Sequence, residues 1–200
     1  MASLDFKGKQ FVATHHYSVP FRELVIDPKK SLPPKGQAPA LDDNLIIHGD
    51  NLEALKALLP RYVGKVKCIY IDPPYNTGNE GWAYNDNLRA PFIKEWLGKT
   101  VGADDLERHD KWLCMMMPRL ILLRELLAED GAIFVSIDDN EQHHLRMLMN
   151  EVFGTSNFIT NIIWQKKYSP QNDAKYFSDM HDFIIAYAKN TGDGDSWGLF

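Results

Sequence analysis

The chain has 200 residues, 44% of them hydrophobic, and a formal net charge of -5; this is enough apolar material for one globular core and too little length for two comfortable domains. The charge argues against a free-standing nucleic-acid-binding module, which needs a basic face to neutralise phosphates, but it leaves room for a catalytic domain whose target-recognition part lies elsewhere. No apolar leader opens the sequence and no apolar run is long enough to cross a bilayer, so neither secretion nor a membrane span is expected and a cytoplasmic location follows.

Residues 1–43 mix Pro, Lys and polar residues around the breaker-rich stretch DPKKSLPPKGQAP, which reads as an extended arm. The run NLIIHGD, ending at Gly49 and Asp50, reads as a strand, and NLEALKALL after it, with Leu52, Leu55, Leu58 and Leu59 at helical spacing, as a helix. VKCIYI (Val66 to Ile71) is a β-branched and aromatic run, expected to be a buried strand stopped at Asp72 by two prolines.

A long polar loop from Asn76 to about Asp105 then precedes a helix from Leu106 to Leu127, with Trp112, Leu113, Met116, Leu120, Leu123 and Leu127 along one side and Pro118 as its kink. AIFVSID reads as a second buried strand and Asp138 to Phe153 as a helix with Leu145, Leu148, Met149 and Val152 on its apolar face. FITNIIW and DFIIAYA, on either side of a polar loop, read as two further strands. Strands alternating with helices predict an α/β domain with a mainly parallel, doubly wound sheet. It should occupy residues 44–190, with 191–200 as a linker.

Asp72-Pro73-Pro74-Tyr75 follows the carboxyl end of a buried strand, where open α/β sheets place their ligand crevices. A Pro-Pro turn that merely ends a strand is the bland account, yet this four-residue string arises by chance in such a chain only about once in a thousand. An exocyclic amino group on a nucleobase is a poor nucleophile because its lone pair is delocalised into the ring. Two acceptors that hold its hydrogens turn the lone pair outward. Asp72 supplies a carboxylate, the Pro73 carbonyl a second acceptor on a chain of fixed φ, and Tyr75 an aromatic face for a base taken out of the duplex. No metal is required by this chemistry, which is positioning plus electrostatics.

DPPYNTGNE preceded by IYI resembles the catalytic motif of amino-group DNA methyltransferases, and IIHGDNLEAL upstream with MMMPRLILLRELLAEDGAIFVSIDDNE, NIIWQKK and HDFIIAYAKN downstream resemble successive blocks of that class. Within it, the chain looks most like the modification subunit of type III restriction-modification systems, across Asn44 to Asn190. The resemblance implies a Rossmann-like methyltransferase fold, S-adenosylmethionine as methyl donor, adenine in double-stranded DNA as acceptor, a homodimer, and a separate helicase-nuclease restriction subunit. It makes Asp72, Pro73, Pro74 and Tyr75 the catalytic loop, puts Asn76 and Thr77 beside donor and base, and sets Asp50 near the adenosine of the donor. Asp50 equally suits a helix N-cap.

Other residues carry weaker expectations. Asp138 and Asp139 end a strand on the same side of the sheet, although a helix-starting acidic pair accounts for them better. Lys166, Lys167 and Phe177 belong to a loop of lysines and aromatics that suits phosphate contact and base stacking, and equally suits a solvated surface loop. His15 with His16, and His143 with His144, are adjacent pairs expected at the surface with no metal role. Cys68 and Cys114 are expected to be small core residues.

The F-x-G-x-G cofactor loop of the family is missing; the nearest match, Asn190-Thr191-Gly192-Asp193-Gly194, lacks the Phe and the helix that should follow, and reads as a linker. The chain is therefore expected to be a truncated catalytic half that is inactive alone. A cytosine amino group as acceptor, and a non-catalytic module of the same fold, stay open as alternatives.

Overall fold

The structure, a computed structural model, describes residues 3–33, 35–78, 86, 95–98, 105–168 and 180–192. Its elements are two short helices, α1 (Lys9–Val12) and α2 (His15–Ser18), then α3 (Asn51–Tyr62), β1 (Val66–Ile71), α4 (Arg108–Leu126), β2 (Leu127–Ile137) and α5 (Gln142–Phe153). A 3-10 turn at Thr155–Asn157 leads into β3 (Phe158–Gln165), and β4 (His181–Ala188) follows. No helix among the described residues is long and apolar enough to cross a membrane.

The four strands form one sheet in the order β1-β2-β4-β3. β1 and β2 pair in parallel and β3 points the same way; β4 alone is reversed, pairing antiparallel with both β2 and β3. The α/β class expected from the pattern is present, and the described part of the sheet is mixed: three of its four strands share one direction and β4 is reversed. The reason lies in the pairing: α4 returns the chain for a parallel β2, whereas β4 runs back between β2 and β3 and pairs antiparallel with both.

Alternate strand residues Ile69, Ile133, Val135, Ile137, Ile185 and Tyr187 face the main core, where they meet Trp112, Leu113, Met116 and Leu120 of α4 and Leu145, Leu148 and Met149 of α5. These are the helix stripes expected from 3.6-residue spacing. Tyr187 also donates its hydroxyl to Asn150 Oδ1 at 2.6 Å, which ties β4 to α5. On the far side of α4, Leu122 and Leu126 pack with Leu52 and Leu59 of α3 and with Val19.

Several expectations are corrected here. Residues 44–50 form no strand, and Ile46 is fully exposed, because no neighbouring strand lies alongside to take up their backbone groups among the described residues. The segment before residue 44 is extended only in part, since α1 and α2 sit within it and Leu4, Phe6 and Val12 are buried in the main core. VKCIYI is a strand as expected, but at the edge of this sheet, so Cys68 is exposed and Tyr70 is 59% exposed. Cys114 is buried as expected, and burial pushes its thiol up to about 12.

His15 and His16 are buried rather than superficial: His15 Nε2 lies 2.9 Å from the Asp86 carbonyl, and the carbonyl of His16 accepts from the ammonium of buried Lys56 at 2.9 Å. Lys56 thereby satisfies a charge that its aliphatic stem carries into the core.

Between β1 and β2 the register jumps from Val66↔Leu127 to Cys68↔Ala132, and Gly131 fills the irregularity. A Cβ there would stand 2.7 Å from the Val66 carbonyl and 3.0 Å from that of Ala128, both of them backbone atoms that cannot swing aside. Gly131→Ala should therefore destabilise the fold by about 1–3 kcal/mol through overpacking. A urea midpoint equal to that of the wild type would show that the strands separate there at no cost.

Candidate active site

The parallel pair β1 and β2 ends at one rim of the sheet, and β3 ends there too, since Gln165 pairs with His181 at the start of β4. This rim gathers Asp72 to Thr77 after β1, Asp138 after β2, Lys166 after β3, and Asp182 in β4. Such gathered strand carboxyl ends are where open α/β sheets place their ligands.

Asp72 leaves β1 exposed to solvent, whereas Tyr75 is half-buried and packs against the main core. The Tyr75 hydroxyl is pushed up to about 12, first by burial, then by the hydrogen bond it donates to Asp72 and by that carboxylate's charge. Between them, the carbonyl of Pro74 accepts from the Trp112 indole at 2.6 Å. Trp112 is fully buried, so the loop is anchored to the core at Pro74. The acceptor pair expected from the sequence, the Asp72 carboxylate and the Pro73 carbonyl, is not the group that Trp112 engages.

Asn76 was expected beside the donor. It is fully buried, with φ of 60°, a left-handed conformation that Asn tolerates better than most residues. Its side-chain amide nitrogen donates to Glu141 Oε1, which turns the side chain toward the protein interior. Glu141, which sequence reasoning passed over, is fully buried; its Oε1 also lies 2.6 Å from His109 Nδ1 and its Oε2 lies 2.8 Å from His144 Nδ1. A carboxylate without solvent needs such donors. The ligand atoms of His109, Glu141 and His144 all lie within 4.8 Å of one another, the spacing a metal ion would need, though the carboxylate already has its hydrogen-bond partners.

The other expected site residues divide. Asp50 Oδ1 accepts from the backbone amides of Leu52 and Glu53 at 3.0 and 3.1 Å and so caps α3, as its local sequence suits. Asp138 closes a turn, accepting from the Asn140 amide at 2.9 Å, which is the helix-entry role. Lys166 is paired with Asp182 at 2.8 Å, so its charge is balanced within the protein. Asp182 also acts on Tyr75, which brings the end of β3 into the surroundings of the catalytic loop. Lys167 is half-buried, with its backbone amide on the Met180 carbonyl. Thr77 is half-buried beside Asn76. Phe177 and residues 193–194 of the glycine-containing turn lie outside the described residues; Asn190 and Thr191 of that turn are held by Gly192 and Asn157.

Arg119 of α4 adds a further anchor. Its guanidinium takes both oxygens of the nearly buried Asp86 at 2.5 and 2.8 Å and Asn51 Oδ1 at 2.8 Å, which ties Asp86 to the start of α3.

An α/β sheet carrying Asp-Pro-Pro-Tyr at the carboxyl end of a strand defines the α/β methyltransferase class. The chain belongs to the DNA methylase family N6_N4_Mtase, whose sequence profile matches residues 66–194. It is 45% identical over 160 residues to the type III restriction-modification enzyme EcoPI Mod subunit of Escherichia phage P1, covering 74% of this chain and 24% of that one. To the probable HindVI Mod subunit of Haemophilus influenzae it is 37% identical over 188 residues, covering 92% of this chain and 22% of that one. The chain thus spans about a quarter of the length of these curated relatives. Among solved structures, the M1.HpyAVI-SAM complex is similar at 15% identity with a TM-score of 0.43, covering 73% of this chain and 55% of that chain.

The raised Tyr75 hydroxyl gives a titration test. Its folded value of about 12 lies above the ordinary 10.0, so the stability from this buried, hydrogen-bonded phenol is complete below about pH 10 and lost as pH rises through about 12. Phenolate absorbance should lose a late-titrating component in Tyr75→Phe. Loss of an ordinary component near pH 10 instead would place the hydroxyl in water.

Proposed function

We propose that the protein transfers a methyl group from S-adenosylmethionine to the exocyclic amino group of adenine in double-stranded DNA, as the modification component of a type III restriction-modification system. The observation that carries this reading is the arrangement at the end of β1: an exposed carboxylate, Asp72, followed by a proline pair whose second carbonyl is secured by Trp112. The Asp72 carboxylate and the Pro73 carbonyl then accept the two hydrogens of the target amino group, and Tyr75 offers its ring to the base. When the base enters, its amino group replaces the Tyr75 hydroxyl as donor to Asp72, so the site exchanges one hydrogen bond for another rather than creating one in water.

The donor supplies a methyl group on a positively charged sulfonium, already activated toward attack. Residues suited to face it are Asp72, Thr77 and the backbone of Asn76 at the rim, with the exposed Asp50 at the head of α3. Lys167 and the segment with Phe177 would face DNA, whereas the Lys166 ion pair with Asp182 would support Tyr75. Residues 44–190 are assigned to the catalytic domain, residues 191–200 to a linker, and target recognition to other parts of the protein. A second copy of the chain and a helicase-nuclease restriction subunit are the proposed partners, with the cytoplasm as the place of action. The type III Mod relatives and the family match support the DNA-methyltransferase reading and the restriction partner.

Transfer of a labelled methyl group to mixed-sequence duplex DNA by the natural full-length protein tests the reading. Asp72→Ala should lower the rate by about a hundredfold to a thousandfold, the loss typical of removing one preorganised polar group aimed at the reacting centre, and the label should reside in N6-methyladenine. Label in N4-methylcytosine would keep the chemistry and change the base. Undiminished transfer by Asp72→Ala would sink the mechanism.

A further inference from the structure

We infer that Glu141 is a positioning residue which, by holding the side chain of Asn76, sets the conformation of the catalytic loop. The catalytic consequence rests on the methyltransferase reading; the structural consequence does not. Asn76 directly follows Tyr75 and turns the chain through a left-handed conformation, φ 60°, in a fully buried place. Asn enters that region more readily than other residues with a side chain, but tolerance alone does not select it. Selection comes from the amide donated to Glu141.

Glu141 stands immediately before α5, behind the turn closed by Asp138 and Asn140, and so belongs to a part of the chain distant in sequence from the loop it grips. Its two oxygens are divided, Oε1 serving Asn76 and His109 at 2.6 Å and Oε2 serving His144 at 2.8 Å. The histidines alone could satisfy a buried acid. The further bond to Asn76 makes the acid a clamp.

The loop is thus gripped at Pro74 by Trp112 of α4 and at Asn76 by Glu141, one residue on either side of Tyr75. Asp72 and Pro73 lie just before the first grip and are the groups whose spacing must suit a single amino nitrogen. Slackness at Asn76 would be felt there as misalignment, and misplacement of about 1 Å at a reacting centre lowers rates by about a hundredfold. The groups facing Glu141 are Asn76 from the loop, His109 from α4 and His144 from α5, with the ring of His143 4.0 Å from that of His144.

The test reverses the polarity of the bond. Glu141→Gln removes the charge and one acceptor, Asn76→Asp sets a carboxylate against a carboxylate, and the double variant restores a hydrogen bond with donor and acceptor exchanged; Asp also tolerates the left-handed turn. In the natural full-length protein, hydrogen exchange at the amides of Tyr75 to Gly78 should quicken by about tenfold or more in each single variant and return toward wild type in the double. In parallel, kcat for methyl transfer should fall by about tenfold to a hundredfold in the single variants and recover in the double. Exchange unchanged in Glu141→Gln, or double-variant losses equal to the product of the single ones, would overturn the clamp. Absence of transfer by the wild type would overturn the methyltransferase reading, and the exchange measurement would still decide the clamp.

Discussion

The rim of the sheet depends on how Trp112 is buried. Its ring has no solvent exposure and lies in the core formed by α4, α5, β1, β2 and β4, and an indole buried so deeply needs a partner for its N–H. That partner is the Pro74 carbonyl. Proline lacks an amide donor and has fixed φ, so the segment after β1 cannot be stabilised by extending the ladder. It is stabilised from behind, by a residue whose large apolar area secures it to the core. The hydrophobic effect that docks α4 on the sheet and the hydrogen bond that fixes the loop therefore act through one side chain.

The carboxylates around the rim show how local surroundings sort one functional group into different roles. Asp50 and Asp138 are engaged by backbone amides at helix and turn entries. Glu141 is sealed from water among donors, and Asp182 is matched to Lys166. Asp72 alone of these combines exposure with a place on the proline-rich segment. Its neighbour, the half-buried Tyr75 hydroxyl, is the donor that it meets within the protein.

Much of this was legible in the sequence. The stripes of α4 and α5, the span of β1 and the position of Asp72 to Tyr75 at a strand end follow from periodicity, β-branched composition and paired prolines, all of them local signals. The direction of β4 was not legible, because an apolar run such as DFIIAYA reads identically whichever way it pairs. Residues 44–50 have the composition of a strand yet form none, since a strand exists only with a partner. The pairing of Lys166 with Asp182, sixteen residues on, was not legible either, because an ion pair across a loop leaves no local signature. Glu141 was hidden because a glutamate near a helix start normally reads as dipole compensation; only the tertiary approach of Asn76, His109 and His144 reveals it. A positive-φ position filled by Asn rather than Gly is the one local hint that its side chain had a task.

The strand order carries a consequence for biosynthesis. β4 is the last of the four strands among the described residues, yet it lies between β2 and β3 and supplies Ile185 and Tyr187 to the core. As the polypeptide emerges from the ribosome, β1, α4 and β2 are available early, but among the described strands β2 keeps an unpaired flank and β3 no neighbour until residues 181–188 arrive. During that interval the apolar faces of β2 and α5 stand open to water, a condition that favours misassociation. Closure of the sheet is thus a single late insertion, so this part of the protein should mature in one step at the end of its synthesis rather than strand by strand.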